Sequence, residues 1–280
     1  MSDVQPESGN IEAALARLGR QPDAEIDLAE SALLLAALDR PDAALTPYRE
    51  ALDALAGDTR TAFTGADTLS ARIDALNAAM FGGHRYSGDR FTYDDLRNTN
   101  LIDVIDRKRG LPIVLSILYI HAARAQGWAA AGVSFPGHFL VRLEKASERA
   151  MLDPFNDGAR LEAGDLRRLL KGVIGDEAEL RPDYYAPSSD RDVLVRLQTN
   201  IKFRRLQAED KIGAAAIVER VLLIDPENAP AWRERGLFEA DAGNLRAAIE
   251  AFERFLPLAS SATDRHEASA LIRQLKARLN

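Results

Sequence analysis

The 280-residue sequence contains no cysteine. That absence excludes disulfide bonds, metal sites built on thiolates and a thiol nucleophile from this sequence. The histidines show no metal-ligand spacing such as H-E-x-x-H, so we expect no metal site and no cofactor. They are His84, His121, His138 and His266.

A long apolar run is also missing. The longest candidate, Leu111 to Ala123, is interrupted by Ser116, Tyr119 and His121, whereas a membrane-spanning helix needs about 18 or more apolar residues. The first residues carry neither the basic region nor the apolar core of a secretory signal. These features predict a cytoplasmic protein that does not contact a membrane.

Basic residues are not in excess. The net charge of −7 is carried by residues 1–60, where twelve acidic side chains face five basic ones, and the remainder is neutral. Binding to nucleic acid regardless of its sequence needs a basic surface. We therefore expect no nucleic-acid partner, and we interpret the short basic run around Arg204 as a solvated helix face.

Composition and periodicity divide the sequence into three parts. Residues 1–24 are polar and are predicted to form a tail. Residues 25–187 are predicted to form a first domain that begins with helices. Within it, residues 82–100 are rich in glycine, aspartate, asparagine and threonine and are predicted to form a long loop. Residues 190–280 show helical patterns only.

A buried helix is predicted from Pro112 to Gln126. Proline suits the first helical turn because its missing N–H would be unpaired there in any case. Residues 113–120 are apolar nearly all round, which is typical of a helix enclosed by other elements. Gly127 ends the pattern.

Two strands are predicted after this helix, Val133–Leu143 and Ala150–Phe155, because apolar and polar residues alternate there. We pair them as an antiparallel hairpin with the loop Glu144–Ser147. In that register His138 lies opposite Asp153, and directly opposed side chains have Cβ atoms about 4.5–5.5 Å apart. The hairpin therefore predicts contact between the imidazole and the carboxylate.

A 34-residue repeat is visible in the last part of the chain. Ala248 and Phe252 line one predicted helix, and Ala214 and Val218 take the same positions 34 residues earlier. This period is typical of tetratricopeptide helix pairs. Residues 263–279 are predicted to form a polar capping helix.

Three motifs together resemble a known family. They are Arg109-Gly110-Leu111-Pro112, then Gly132-Val133-Ser134-Phe135-Pro136-Gly137-His138-Phe139-Leu140, then Asp153-Pro154-Phe155 with Gly158. The resemblance is to the SirB-type branch of the transglutaminase-like superfamily and covers about residues 27–258. It implies an α+β fold. A helical N-terminal part would precede a transglutaminase-like (papain-like) core of buried helix and antiparallel sheet, followed by C-terminal tetratricopeptide repeats.

The resemblance also implies positions for a catalytic triad. In catalytic members a cysteine begins the central helix about 15 residues before a glycine, and counting back from Gly127 reaches Pro112. His138 takes the position of the catalytic histidine and Asp153 that of the aspartate, whose usual role is to orient the imidazole. Two triad members are kept and the nucleophile is lost. The plainer interpretations are a structural histidine and a turn aspartate before proline.

Ser116 is the alternative nucleophile, because it lies one helical turn after Pro112 on the same face. Activated by His138, it would make a serine hydrolase or acyltransferase. We favour instead a small buried residue whose hydroxyl bonds back to the Pro112 carbonyl.

Further residues are expected around the cleft and in the repeats. The cleft residues are Arg109, Gly110, Phe135, Gly137 and Arg142, and the residues of a repeat groove are Trp232, Gly236 and Phe252. The two arginines are candidates to bind a carboxylate, although salt-bridged structural arginines are commoner.

The functional hypothesis is a transglutaminase-like pseudoenzyme without a cysteine, which acts in protein–protein interaction or regulation. Its degenerate cleft would hold a peptide or small ligand, and its repeats would hold a protein segment. The alternative is a serine-dependent hydrolase or acyltransferase using Ser116, His138 and Asp153. In a third hypothesis the core is structural and only the repeats act.

Overall fold

A computed structural model describes residues 8–279 and shows a mixed α+β chain with a small antiparallel sheet. The described chain divides into two units. One comprises residues 8–11 and 22–197, and the other comprises residues 12–21 and 198–279. The division falls within helix α1 (Ser8–Leu18) and within helix α8 (Asp190–Gln207).

Helices make up most of the first unit before its sheet. They are α2 (Leu28–Ala37), α3 (Thr46–Ala62), α4 (Leu69–Asn77), α5 (Leu101–Arg107) and α6 (Pro112–Arg124). A π-helical turn, Ala78–Gly83, extends α4, and the short strands β1 (Ser87–Gly88) and β2 (Arg109–Gly110) pair in parallel. Side chains of Asp27, Thr68 and Asn100 cap α2, α4 and α5 by accepting backbone N–H groups.

Helix α6 lies at the centre of the first unit. Every residue from Pro112 to Ile120 is buried, as the all-round apolar pattern predicted. Neighbouring helices α2, α3 and α4 pack on it, together with strands of the sheet. Pro112 occupies its first turn, where its lack of an N–H costs no hydrogen bond.

The four-stranded sheet has the order β3-β4-β5-β6 and is antiparallel throughout. Its strands are β3 (Ala129–Val133), β4 (Leu140–Lys145), β5 (Glu148–Asp153) and β6 (Ala159–Leu161). One face packs on α6 through fully buried side chains such as Val141 and Leu143. Helix α7 (Ala163–Ile174) covers part of the other face, where Leu166 and Leu170 pack against Leu140.

The predicted strand Val133–Leu143 is wrong, because a turn interrupts it. Strand β3 ends at Val133 and β4 begins at Leu140. Between them the His138 N–H donates to the Phe135 carbonyl over 3.1 Å, and Gly137 has a φ of +68°. Proline at position 136 and a glycine in the left-handed region favour this tight turn over a continuous strand.

The predicted hairpin register is wrong by two residues. Strands β4 and β5 are joined by Ala146 and Ser147 alone, and Val141 lies opposite Leu152. Ala146 has a φ of +53°. Two-residue hairpin turns normally place Asn, Asp or Gly at such positions, so Ala146 carried no signal of a tight turn.

The predicted tail of residues 1–24 is replaced, over its described part, by helix α1. Ile11, Leu15 and Leu18 are buried, with Leu15 fully so. Their spacing places them on one helix face, a pattern that the many polar neighbours obscured. The first unit ends at Leu197, beyond the predicted boundary at residue 187, because the first turns of α8 belong to it.

Besides its parts of α1 and α8, the described second unit contains four further α-helices. They are α9 (Lys211–Ile224), α10 (Ala229–Asp241), α11 (Leu245–Phe255) and α12 (Ala262–Leu279). The buried residues of α11 and α12 form one apolar cluster that includes Phe252, Phe255 and Ile272. The last helix is therefore half apolar rather than wholly polar, and its Ala268, Ile272 and Leu275 are buried.

Candidate functional site

His138 is carried by the turn between β3 and β4. The turn is tight because Gly137 lies against helix α7, and a Cβ atom at Gly137 would overlap the Val173 side chain. Glycine is also needed there for the positive φ. The His138 side chain is 14% exposed, although its Nε2 atom is buried.

Asp153 ends strand β5 and caps the 3₁₀ turn that follows. Its Oδ1 accepts the Phe155 backbone N–H over 3.0 Å, and its Oδ2 accepts the side-chain amide of Asn156. The carboxylate is only 1% exposed. Asp153 therefore caps a turn before proline, as the plainer interpretation predicted. Its side chain also makes a second contact, with His138.

The structure brings His138 and Asp153 together. His138 Nε2 lies 2.9 Å from Asp153 Oδ2, although the ring N–H is not aligned with that oxygen, so the contact is chiefly electrostatic. Burial alone would raise the pKa of Asp153, but the His138 ring, Asn156 and the Phe155 N–H hold that pKa below its ordinary value. The carboxylate is therefore ionised at neutral pH and faces the imidazole.

Arg196 fixes the turn that carries His138, although no sequence pattern pointed to this residue. Its Nη2 donates to the carbonyl oxygens of His138 over 2.9 Å and Phe135 over 3.2 Å. Its guanidinium also lies 5.6 Å from the Phe139 ring centre, and burial lowers its pKa. Arg196 is 58 residues from His138 in the sequence, in a segment predicted to belong to the repeats.

The start of α6 holds no nucleophile. Pro112 is buried in the first turn, and a proline side chain has no atom that attacks a carbonyl. Ser116 Oγ is buried and hydrogen-bonds to no residue among 8–279, which include His138. Ser116 therefore has no hydrogen-bonded base among these residues, and the predicted bond from Ser116 to the Pro112 carbonyl is wrong as well.

The other predicted cleft residues lie in different surroundings. Phe135 is fully buried in the cluster between the sheet and α7, and Gly110 is buried against Val104. Arg109 is exposed on β2. Arg142 lies on β4 and pairs with Glu144. Of the five, Gly137 adjoins His138 and the Phe135 carbonyl accepts the His138 N–H, while the Phe135 side chain faces the cluster under α7.

A loop of residues 89–95 adjoins the histidine through Phe155. The Phe155 ring meets His138 edge-on at 6.2 Å and Tyr93 edge-on at 5.8 Å. The Arg90 guanidinium lies 5.8 Å from the centre of the same ring and bonds to Asn156. Phe91, in the same loop, is 96% exposed, which is unusual for a large apolar side chain.

Asp89 organises this loop. Its carboxylate is 2% exposed and accepts the Thr92 N–H and hydroxyl and the Phe91 N–H, while Arg107 lies 3.2 Å away. Burial alone would raise the pKa of Asp89, but these bonds, with Thr92 foremost, lower it to about 2. The loop is thus held by its own hydrogen bonds, as expected of a long ordered loop.

In the second unit the predicted repeat groove is wrong in part. Phe252 is 1% exposed, and Gly236 is buried against its ring, so both belong to the interior of the α10–α11 pair. Trp232 is partly buried, and its Nε1 donates to the Pro226 carbonyl over 2.8 Å. The exposed apolar side chains of this unit include Phe203, Ile212 and Leu237.

No helix within residues 8–279 is long and apolar enough to cross a membrane.

Comparison with known proteins assigns the two segments. Residues 46–199 match the transglutaminase-like superfamily, and residues 201–273 match the tetratricopeptide repeat. A UPF0162 protein of Xylella fastidiosa is 33% identical over 242 residues, which cover 84% of this chain and 85% of that protein. A UPF0162 protein of Vibrio cholerae is 27% identical over 232 residues, or 82% of this chain and 86% of that protein.

A shorter segment is also found in a eukaryotic protein. Over 84 residues, which are 30% of this chain and 13% of the other, it is 36% identical to F-box only protein 21 of Mus musculus. The match with the superfamily spans more than half of the chain, and the match with the Xylella protein spans most of both proteins. The chain therefore belongs to the transglutaminase-like superfamily, within its UPF0162 (SirB-type) family, and carries C-terminal tetratricopeptide repeats.

Proposed function

We propose that this protein is a non-catalytic member of the transglutaminase-like superfamily that acts by binding other proteins. The observation that carries the proposal is Pro112, buried in the first turn of α6, where the family resemblance puts the cysteine. Acyl transfer by this superfamily needs a thiolate, and the sequence contains no cysteine. A histidine and an aspartate alone do not form an acyl-enzyme.

The retained pair would then serve binding. Asp153 is buried and ionised beside His138, so its charge attracts the imidazole and keeps it near the end of β5. The other ring nitrogen, which faces away from Asp153, is a suitable hydrogen-bonding group for a peptide backbone. The exposed Phe91 in the adjoining loop adds an apolar side chain for a partner to cover.

The repeats supply the second binding element. Tetratricopeptide repeats generally mediate protein interactions, and this segment spans residues 201–273. A cavity of about 210 Å³ lies between α9 and α10, with Ile212, Phe238 and Arg235 among its lining residues. Ile212 is 87% exposed, so an apolar side chain of a partner would pack against it in this cavity.

Catalysis is tested directly with the purified full chain. The protein is incubated with a labelled primary amine and a glutamine-rich acceptor protein, beside a catalytic transglutaminase as positive control, and amide hydrolysis is assayed in parallel. We expect no incorporation and no hydrolysis above the no-protein blank. Turnover that disappears in a His138→Ala variant would refute the proposal.

Binding is tested by separating the two elements. Partners captured by the tagged chain are identified, purified and titrated against Phe91→Asp and Ile212→Asp variants. Ile212 lies in the first turn of α9, where an acidic residue is favourable, so the second change spares folding. The control is Leu279→Asp, which alters an exposed apolar residue of α12. Loss of affinity with Ile212→Asp alone would support the hypothesis that only the repeats act.

A further inference from the structure

A cavity of about 470 Å³ lies on the face of the sheet that points away from α6. Its floor follows the strand pairing, because Arg142 is opposite Met151 and Met151 is opposite Leu161. Residues paired in this way across three strands point to the same face. Helix α7 forms one wall through Leu166 and Arg167.

Arginines from four different elements surround this cavity. They are Arg142 on β4, Arg149 on β5, Arg160 on β6 and Arg167 on α7, and we call the cavity that they line the arginine groove. Its wall contains one acidic residue, Glu162. The groove is therefore locally cationic in a chain whose net charge is −7.

Two of these arginines have no partner among the residues that the structure describes. Within residues 8–279, neither Arg149 nor Arg167 forms an ion pair or a side-chain hydrogen bond, and both are exposed. Arg142 pairs with Glu144, and Arg160 lies 3.2 Å from Glu162 with both side chains largely exposed. Exposed pairs of this kind are weak, so Arg160 is also available to a bound anion.

The floor between the arginines is apolar. Met151, Leu161 and Leu180 are partly buried there, and Tyr185 stands at the side. A site that combines this floor with a cationic rim suits a ligand with both carboxylates and an apolar side chain. Inorganic phosphate would use only the arginines, and a purely aliphatic ligand would use only the apolar floor.

We propose that the arginine groove binds an acidic peptide segment of a partner protein. Its carboxylates would pair with Arg149 and Arg167, and an apolar side chain would lie on Met151 and Leu161. A small-molecule site encloses most of its ligand, whereas Arg149, Arg160 and Arg167 on this rim are exposed. This site is separate from His138, so it adds to the proposed function and does not depend on it.

Nucleic acid fits the groove less well than an acidic peptide. Proteins that bind single strands combine a basic groove with several aromatic side chains on which bases stack. Here Tyr185 is the one aromatic lining residue, and Glu162 would face the phosphates. Charge complementarity together with the apolar floor therefore favours a peptide.

The test uses fluorescence anisotropy with the full chain. The probe is a labelled eight-residue peptide of alternating glutamate and leucine. We expect saturable binding that weakens about tenfold or more in an Arg149→Glu/Arg167→Glu double variant, since two attractions become repulsions. Binding should also weaken as salt rises from about 50 to about 500 mM, and when the leucines of the probe are replaced by serine.

Three controls make the result specific. Arg246→Glu reverses the charge of one exposed arginine of α11, half of the charge change in the double variant, and should leave the affinity unchanged. His138→Ala should also leave it unchanged, which separates this site from the cleft. Arg149→Gln/Arg167→Gln, which removes charge without reversing it, should give an intermediate loss, and circular dichroism reports whether each variant is folded.

Several outcomes would overturn the inference. They are an absence of saturable binding, an affinity that the double variant does not change, and equal losses in the Arg246→Glu variant. Displacement of the probe by an equal concentration of glutarate would indicate a small-molecule site. Tighter groove-dependent binding of a single-stranded oligonucleotide would indicate a nucleic-acid surface.

Discussion

Arg196 donates a hydrogen bond from Nη2 to the carbonyl oxygen of His138 over 2.9 Å, and the same nitrogen reaches the Phe135 carbonyl. One guanidinium on α8 thereby ties both ends of the turn that presents the histidine. The imidazole is thus positioned from two directions, by Arg196 through the backbone and by Asp153 through the side chain.

Replacing Arg196 by methionine should therefore loosen the His138 turn. Two carbonyl oxygens lose a charged donor, and each such bond contributes about 1.5–3 kcal/mol at most, so we expect the free energy of unfolding to fall by about 2 kcal/mol. Urea denaturation measures the loss. The NMR signal of the His138 ring should broaden or shift. A general loss of stability that does not involve the turn would leave this signal unchanged in the folded protein.

Arg167→Met is the matched control for this change. Arg167 is an exposed arginine of the same unit, and within residues 8–279 its side chain has no partner. Its replacement should alter stability by less than about 0.5 kcal/mol. Equal losses in the two variants would show that Arg196 does not act through the turn.

The contact between His138 and Asp153 was predicted for an incorrect reason. A four-residue hairpin loop placed the two residues opposite each other, whereas β4 begins only at Leu140. The contact arises because the turn folds His138 back toward the end of β5. Local patterns identified the two residues, but the geometry depends on a turn at Ala146 that its residue type does not indicate.

Sequence patterns did not predict contacts between residues that are far apart in the sequence. The 34-residue period predicted the helix pairs, and the all-round apolar run predicted the buried α6. Arg196 could not be assigned to His138, because nothing local distinguishes it from other helix arginines. Phe252 was misjudged because, in a helix pair, the face that packs inside and the face that binds a partner are both apolar, and the period does not tell them apart.

Asp89 should contribute measurably to stability, and in a pH-dependent way. The folded pKa of about 2 lies below the ordinary value near 3.8, so its stabilisation is complete above about pH 5 and is lost as the pH falls toward 2. The difference of nearly two units corresponds to about 2 kcal/mol. Asp89→Asn should therefore lower the free energy of unfolding by about that amount at pH 7.

Urea unfolding of the two proteins at several pH values tests this dependence. The difference in the free energy of unfolding between wild type and Asp89→Asn should decrease as the pH falls from about 5 to about 2.5. Asp176→Asn, at an exposed position, should show no such difference. A difference in the free energy of unfolding that stays constant over the whole pH range would mean that Asp89 stabilises the protein through its shape and not through its charge.

Gly236→Ala should destabilise the repeats although alanine is the better helix former. Helix propensity alone would favour alanine by about 1 kcal/mol. A Cβ at this position, however, would stand 2.8 Å from two atoms of the Phe252 ring, which is buried and cannot move freely. Overpacking of this kind costs about 1–3 kcal/mol, so the net effect should be a loss.

The matched change is Gly172→Ala in α7. Apart from the adjacent residues and the backbone of α7 itself, no atom of residues 8–279 lies within 4 Å of the Cβ that this change adds, so only the helix propensity should act and the protein should gain up to about 1 kcal/mol. Opposite signs for two glycine-to-alanine changes, measured by thermal unfolding, would confirm the close approach at Phe252. A gain in both would contradict it.

Asp153 and His138 should show a coupling energy that depends on pH. The pKa of Asp153 lies below its ordinary value, so its stabilising charge is present at neutral pH and is lost as the pH falls below about 4. A double-mutant cycle of Asp153→Asn and His138→Ala isolates the part due to their contact from the part due to capping at Phe155. Because the contact is not well aligned, we expect a coupling of about 1 kcal/mol at pH 6, decreasing below pH 4. A coupling that stays constant down to about pH 3 would mean that the two side chains touch without an electrostatic interaction, and His138 would then be held by the Arg196 turn alone.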